Sequence, residues 1–130
     1  MQKYNLFTYP GIERGEGIFN RVNKLLASPN SKISSPDFAL GVVAMEPGKG
    51  HEIHEHGENR EICVVLQGKA LLHQKEGDEG VLLEKGDFIG FDYNDPHGFM
   101  NIGDETFYML WIYYPPGQAE EKFLIRDKEG

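Results

Sequence analysis

Residues 48–68 read Gly48-Lys49-Gly50-His51-Glu52-Ile53-His54-Glu55-His56-Gly57-Glu58-Asn59-Arg60-Glu61-Ile62-Cys63-Val64-Val65-Leu66-Gln67-Gly68. His54 and His56 stand two apart. On an extended chain, residues two apart point to the same face and lie about 7 Å from each other. Two imidazoles in that relation can converge on one ion. A polar turn follows, and then Glu61 opens an apolar run that ends at Gly68. Glu61 and Cys63 share one face of that run.

Outward from this stretch, the chain is punctuated at short intervals by 16 glycines and 7 prolines, which marks many short strands joined by turns. The apolar runs are Phe38–Glu46, Glu61–Gln67, Lys69–Lys75, Gly80–Glu84, Asp87–Asp92, His97–Ile102 and Thr106–Tyr114. Their separators are Pro47–Gly50, Gly68, Glu76–Glu79, Glu84–Gly86, Asn94–Pro96 and Gly103–Glu105, each rich in Gly, Asn or Asp. Regular short spacing of this kind predicts an all-β sandwich or barrel.

The flanks are less regular. Gly17–Leu26 fits either a short amphipathic helix or a strand, and the flanking Gly15, Gly17 and Pro29 favour the strand. Ser28–Pro36 reads as a polar loop, and Gln118–Arg126 as a helical turn or a last strand. The run Thr106–Tyr114 is apolar on both faces: Phe107, Met109, Trp111 and Tyr113 on one, Tyr108, Leu110, Ile112 and Tyr114 on the other. A strand with one wet face alternates instead. Something therefore covers both faces: the N-terminal arm, the tail or a second subunit, and a homodimer is the leading expectation.

Thirteen Lys plus Arg against 21 Asp plus Glu give a net charge of −8 over 130 residues. That balance argues against nucleic acid and against an anionic membrane surface. The length suits one domain. A single cysteine, Cys63, excludes an internal disulfide framework and a cysteine-based zinc knuckle. No signal peptide and no membrane-length apolar run are read, so the expected location is cytoplasmic.

The pattern Gly48, five residues, His54-x-His56, four residues, Glu61, six residues, Gly68 resembles the first motif of the cupin superfamily in every residue type and spacing. Gly86, ten residues, His97, three residues, Asn101 is similar to the second. The departures are Asp92, where the family usually has Pro, and Asn94, where it usually has Gly. Asn tolerates the left-handed conformation. The short interval Lys69–Lys85 between the motifs is that of small single-domain bacterial cupins. The resemblance implies a double-stranded β-helix, the jelly-roll cupin barrel of six to eight strands. It would fill residues 1–130 as one domain, with a core at about 38–116 and terminal extensions packed on the barrel or on a partner subunit. It also implies one divalent transition metal, Mn, Fe, Ni, Zn or Cu, held by His54, His56, Glu61 and His97. Three imidazoles and a carboxylate suit such ions and poorly suit calcium or magnesium.

Other candidates have plainer readings beside the functional one. His51 reads as a solvated turn residue, with a ligand role as the alternative. His73 reads as outward-facing. Cys63 reads as a small core residue pointing into the barrel. Glu52, Glu55 and Glu58 read as a solvated rim. Alternation places Cys63, Leu72, Gln74 and Phe99 toward the pocket with Ala70 and Asn101, and either Trp111 or Tyr108 as an aromatic wall. Asn101 is expected to be structural. No Arg or Lys is placed at the metal, which disfavours an anionic substrate held by a fixed cation. Two functions follow: a metalloenzyme of isomerase, dioxygenase, decarboxylase or lyase type acting on a small organic molecule, or a non-catalytic cupin that binds or senses a small ligand.

Overall fold

The computed structural model describes residues 1–55, 57, 59–117 and 122–125. Eleven strands follow in chain order among these residues: β1 (Ile12–Arg14), β2 (Arg21–Ser28), β3 (Ile33–Ser34), β4 (Ala39–Met45), β5 (Gly50–His54), β6 (Arg60–Gln67), β7 (Lys69–His73), β8 (Val81–Glu84), β9 (Phe88–Phe91), β10 (His97–Asn101) and β11 (Phe107–Tyr114). One sheet has the order β1-β2-β4-β11-β6-β9, with β3 beside β2; the other has the order β5-β10-β7-β8. Every pairing is antiparallel except the short β2–β3 pair. The inner faces of the two sheets enclose a jelly-roll barrel, so the expected all-β class and double-sheet architecture are what the chain adopts.

The strand pattern read from the sequence recurs within a residue or two for β4 and for β6–β11. Gly17–Leu26 resolves into two pieces: a 3-10 turn at Gly17–Phe19 and then β2. The loop 28–36 carries the two-residue β3. In the tail, Lys122 and Phe123 are helical, while residues 118–121 and 126 lie outside the described residues.

The core lies between the sheets. Leu25, Val43, Met45, Cys63, Val65, Met109 and Trp111 come from the large sheet, and Ala70, Leu72, Leu83 and Phe99 from the small one. Each fully buried side chain of the larger kind contributes about 1.5–3 kcal/mol. Two glycines shape this interior. At Gly41 a Cβ would stand 2.2 Å from the Trp111 ring, so only glycine lets that indole lie flat against β4. Gly68 takes φ +88° in the tight β6–β7 turn, a conformation that L side chains resist.

The doubly apolar β11 has a topological cause. It sits between β4 and β6 at the middle of the large sheet. Its Phe107, Met109, Trp111 and Tyr113 are buried in the barrel, while Tyr108, Leu110 and Ile112 are half-buried on the outside. The N-terminal arm covers part of that outside. Phe7 packs edge-on against Tyr108 at 5.0 Å, and Lys24 Nζ donates to the carbonyls of Leu6 and Phe7 at 2.8 and 2.9 Å.

Candidate metal centre

Three of the expected ligands meet inside the barrel. His54 ends β5, Glu61 lies near the start of β6 and His97 begins β10. Antiparallel pairing places His97 opposite His54. Ligand atoms of His54, Glu61 and His97 all lie within 4.8 Å of one another. The fourth expected ligand, His56, lies outside the described residues. Glu61 and His97 are buried, and His97 stacks on Phe91 with centroids 4.0 Å apart.

The donor set fits a cation on chemical grounds. His97 Nδ1 lies 2.8 Å from the Asp95 carbonyl, and His54 Nδ1 lies 3.2 Å from the Glu52 carbonyl. A carbonyl only accepts, so each Nδ1 donates, and in the neutral ring Nε2 keeps its lone pair. His97 Nε2 stands 2.9 Å from Glu61 Oε1. Two lone pairs facing each other at that distance repel unless a proton or a metal ion lies between them. Nδ1–H groups anchored on carbonyls are also what fixes ring orientation and tautomer in histidine metal sites.

Behind the ligands is a supporting layer. The Cys63 thiol donates to Glu61 Oε2 at 3.3 Å. Burial, and then the Glu61 carboxylate, pushes the Cys63 thiol well up, so it stays an S–H donor and not a thiolate. Burial, then Glu61, likewise pushes the Tyr113 phenol well up. Trp111 Nε1 donates to Asn23 Oδ1 at 3.1 Å and stacks on Tyr113 at 4.6 Å.

The remaining site residues divide. Phe99 and Trp111 line a small cavity shared with His54 and Glu61, whereas Cys63 and Leu72 are buried in the core beside it. Gln74 is exposed, because β7 ends at His73 and alternation stops there; its amide donates to the Pro96 carbonyl at 3.3 Å. Trp111, not Tyr108, supplies the aromatic wall. His73 is half-buried on the outer side, where Asp78 holds its Nδ1 at 2.6 Å.

His51 differs from the solvated turn residue expected. It belongs to β5, lines the same cavity and lies with its ring 4.0 Å from that of His54. A register shift between His97 and Phe99 opposite β5 breaks strict alternation, which lets both His51 and His54 turn inward. Burial first, then the neighbouring His54, lowers its pKa to about 2. Asn23 and Phe123 also line this cavity, and simple periodicity marked neither. The Asn23-x-Leu25 alternation on β2 could have indicated the first; nothing in the tail indicated the second.

Residues 41–113 match the family model described as the cupin domain. Among curated proteins, the chain is 28% identical over 87 residues to the uncharacterized protein MJ1618 of Methanocaldococcus jannaschii, covering 67% of this chain and 68% of that one. Among solved structures it is similar to a candidate sugar phosphate isomerase of Acidithiobacillus ferrooxidans (29% identity, TM-score 0.68, covering 83% of this chain and 69% of that one). It is also similar to KdgF of a Halomonas species (18% identity, TM-score 0.72, covering 91% and 98%), a likeness of fold.

Proposed function

The chain belongs to the cupin family, and on that premise we propose that it is a metal-dependent enzyme acting on a small organic molecule. The observation that carries this reading is the buried meeting of His97 Nε2 and Glu61 Oε1 beside His54, each histidine held by a carbonyl at Nδ1. His54, Glu61 and His97 would hold one divalent transition metal, with His56 as the fourth ligand. When bound, such an ion supplies Lewis acidity, or redox chemistry if it is iron.

The protein's own groups do the rest. Cys63 orients the Glu61 carboxylate, and Asp95 and Glu52 orient the two imidazoles through their carbonyls. Phe99, Trp111 and Phe123 give the cavity apolar walls. Isomerase, dioxygenase, decarboxylase and lyase chemistry all suit an open metal in an apolar pocket. The family similarity to a candidate sugar phosphate isomerase favours the isomerase type within this group.

One observation favours the second reading, a ligand-binding or sensing cupin without turnover. Cys63 and Tyr113, the thiol and phenol nearest Glu61, are both held protonated by burial, so neither offers a base.

We also propose that the protein is cytoplasmic and homodimeric, with residues 1–130 forming one domain. No helix of the described residues is long and apolar enough to cross a membrane. The deciding experiment measures metal content and any co-purifying small molecule in the native protein. Iron with O₂ consumption selects a dioxygenase; redox-inert zinc selects isomerase, lyase or binding roles. Absence of any transition metal, with none taken up on titration, overturns the reading.

A further inference from the structure

The cavity at the metal ligands is small, about 30 Å³, roughly the share of one water molecule in the liquid. An organic molecule does not fit between these walls as they stand. A larger space of about 480 Å³ lies next to it, between the N-terminal arm and the loop at Asn30–Lys32. Two elements lead from one space to the other. On β2, Asn23 lines the small cavity and Leu25, on the same face, lines the large one. In the tail, Phe123 lines the small cavity and the next residue, Leu124, lines the large one.

Phe123 is the part of this wall that can leave. Among the described residues, every other one lining the small cavity lies on a strand, from β2, β4, β5, β6, β10 or β11. Moving any of those stretches of backbone breaks ladder hydrogen bonds. Phe123 stands on a helical turn of the tail and belongs to no strand. It is buried, with its ring centroid 5.7 Å from that of Trp111. Arg14, at the end of β1, sets its guanidinium 5.8 Å from the same ring. Arg14 is exposed and lines neither space. Both contacts are between side chains, so Phe123 is packed into place and not bonded into a sheet.

We propose that Phe123 is the gate of the metal centre and selects by size what reaches it. Seated, it limits the ligand at the centre to the size of a water molecule. Withdrawn, it joins the small cavity to the larger space. An organic ligand can then hold the metal with one end while its body extends toward the N-terminal arm. This deepens the metal-centre reading and rests on it. Binding of a bulky ligand waits on a minor open population, which lowers both its rate and its apparent affinity. Arg14 favours the seated form, because its cation is attracted to the ring.

The test uses the full chain loaded with Co(II), its cobalt stoichiometry measured first. Benzoate is the probe: its carboxylate can ligate the ion, and its ring needs the space that Phe123 fills. Stopped-flow absorbance in the cobalt visible bands follows its binding. In the wild type the rate should level off as benzoate rises, at the rate of gate opening. Phe123→Ala should remove the plateau and bind benzoate about tenfold or more faster, as expected when the open form is a minor one. Arg14→Ala keeps every cavity wall and should raise the plateau about two- to fivefold, the scale of an exposed cation–π contact. Equal rates without a plateau in wild type and Phe123→Ala overturn the inference, and so does a wild type that never binds benzoate. Trp111 is the single tryptophan and gives a reading without metal. Acrylamide should quench its fluorescence several-fold more in Phe123→Ala than in the wild type, with the milder Phe123→Leu between them. If the protein takes up no cobalt, the metal reading fails separately and quenching decides this one. Equal quenching in wild type and both folded variants overturns it.

Discussion

His97 Nε2 and Glu61 Oε1 stand 2.9 Å apart inside the barrel, brought together from β10 and β6 of opposite sheets. The pair is the hinge of the site's chemistry, since its geometry is satisfied by a cation. His97→Ala and His54→Ala should each abolish tight metal binding while the barrel stays folded. A metal at 100 times its Kd stabilises the folded state by about 2.7 kcal/mol, so the wild type should gain several degrees in Tm and His97→Ala none. Equal metal content in wild type and both variants would remove these residues from the ligand set.

Much of this arrangement was legible because its determinants are local. A Gly-bounded apolar run makes a strand whatever surrounds it, so β6 and β10, which carry Glu61 and His97, could be read from their bounds. What was not legible depends on departures from alternation or on long-range closure. The bulge within β5 turned His51 inward, the early end of β7 left Gln74 in solvent, and Phe123 reaches the cavity from a distant tail. None of these follows from period two.

Cys63 acts on the centre through its hydrogen bond to Glu61. Cys63→Ala removes the S–H donor to Oε2 and should weaken metal binding about tenfold, the lower end for loss of a group supporting a ligand. Cys63→Ser keeps a donor and should retain most of the affinity. Competition titration against a chromogenic chelator distinguishes the two, and equal loss in both would assign the effect to packing instead.

The half-buried His51 makes the metal-free protein acid-sensitive. Its folded pKa, near 2, lies below the ordinary value of 6.5. The unfolded chain therefore binds a proton at this position below pH 6.5 that the folded chain does not, and stability falls as pH falls. The slope is about 1.4 kcal/mol per pH unit from this group. Urea unfolding of wild type and His51→Asn between pH 7 and about 5 should show a shallower decline in the variant. Parallel declines would show that His51 is not the group responsible.

Asn101 holds three backbone groups at once. Its Nδ2 donates to the carbonyls of Met45 and Glu105, both at 2.9 Å, and its Oδ1 accepts from the Gly103 N–H at 2.8 Å. This ties the end of β10 to the end of β4 and to the turn before β11. Asn101→Ala leaves these groups without partners in a buried place and should cost about 2–4 kcal/mol. Denaturant unfolding measures the cost. Metal affinity of the folded fraction should change little, because Asn101 touches no ligand; a large loss of affinity would contradict a structural role.

The outer face of the large sheet leads to the last prediction. Register pairing aligns Phe88, Val64 and Leu110 in one row, and Ile62 with Ile112 in the next. Phe88 is 79% exposed and Ile62 37%. The N-terminal arm covers Tyr108 at one side of this face but leaves the side toward β9 open. Contiguous exposed apolar patches mark interaction surfaces in many soluble proteins, and this stripe is the candidate for one here. A second copy of the chain presents the same stripe, so a two-fold axis through it buries like against like. Sedimentation at micromolar concentration should find a dimer, and the paired substitutions Ile62→Lys and Phe88→Lys should give a folded monomer that still binds metal. A wild-type monomer, or a variant that remains dimeric, would move the interface elsewhere or abolish it.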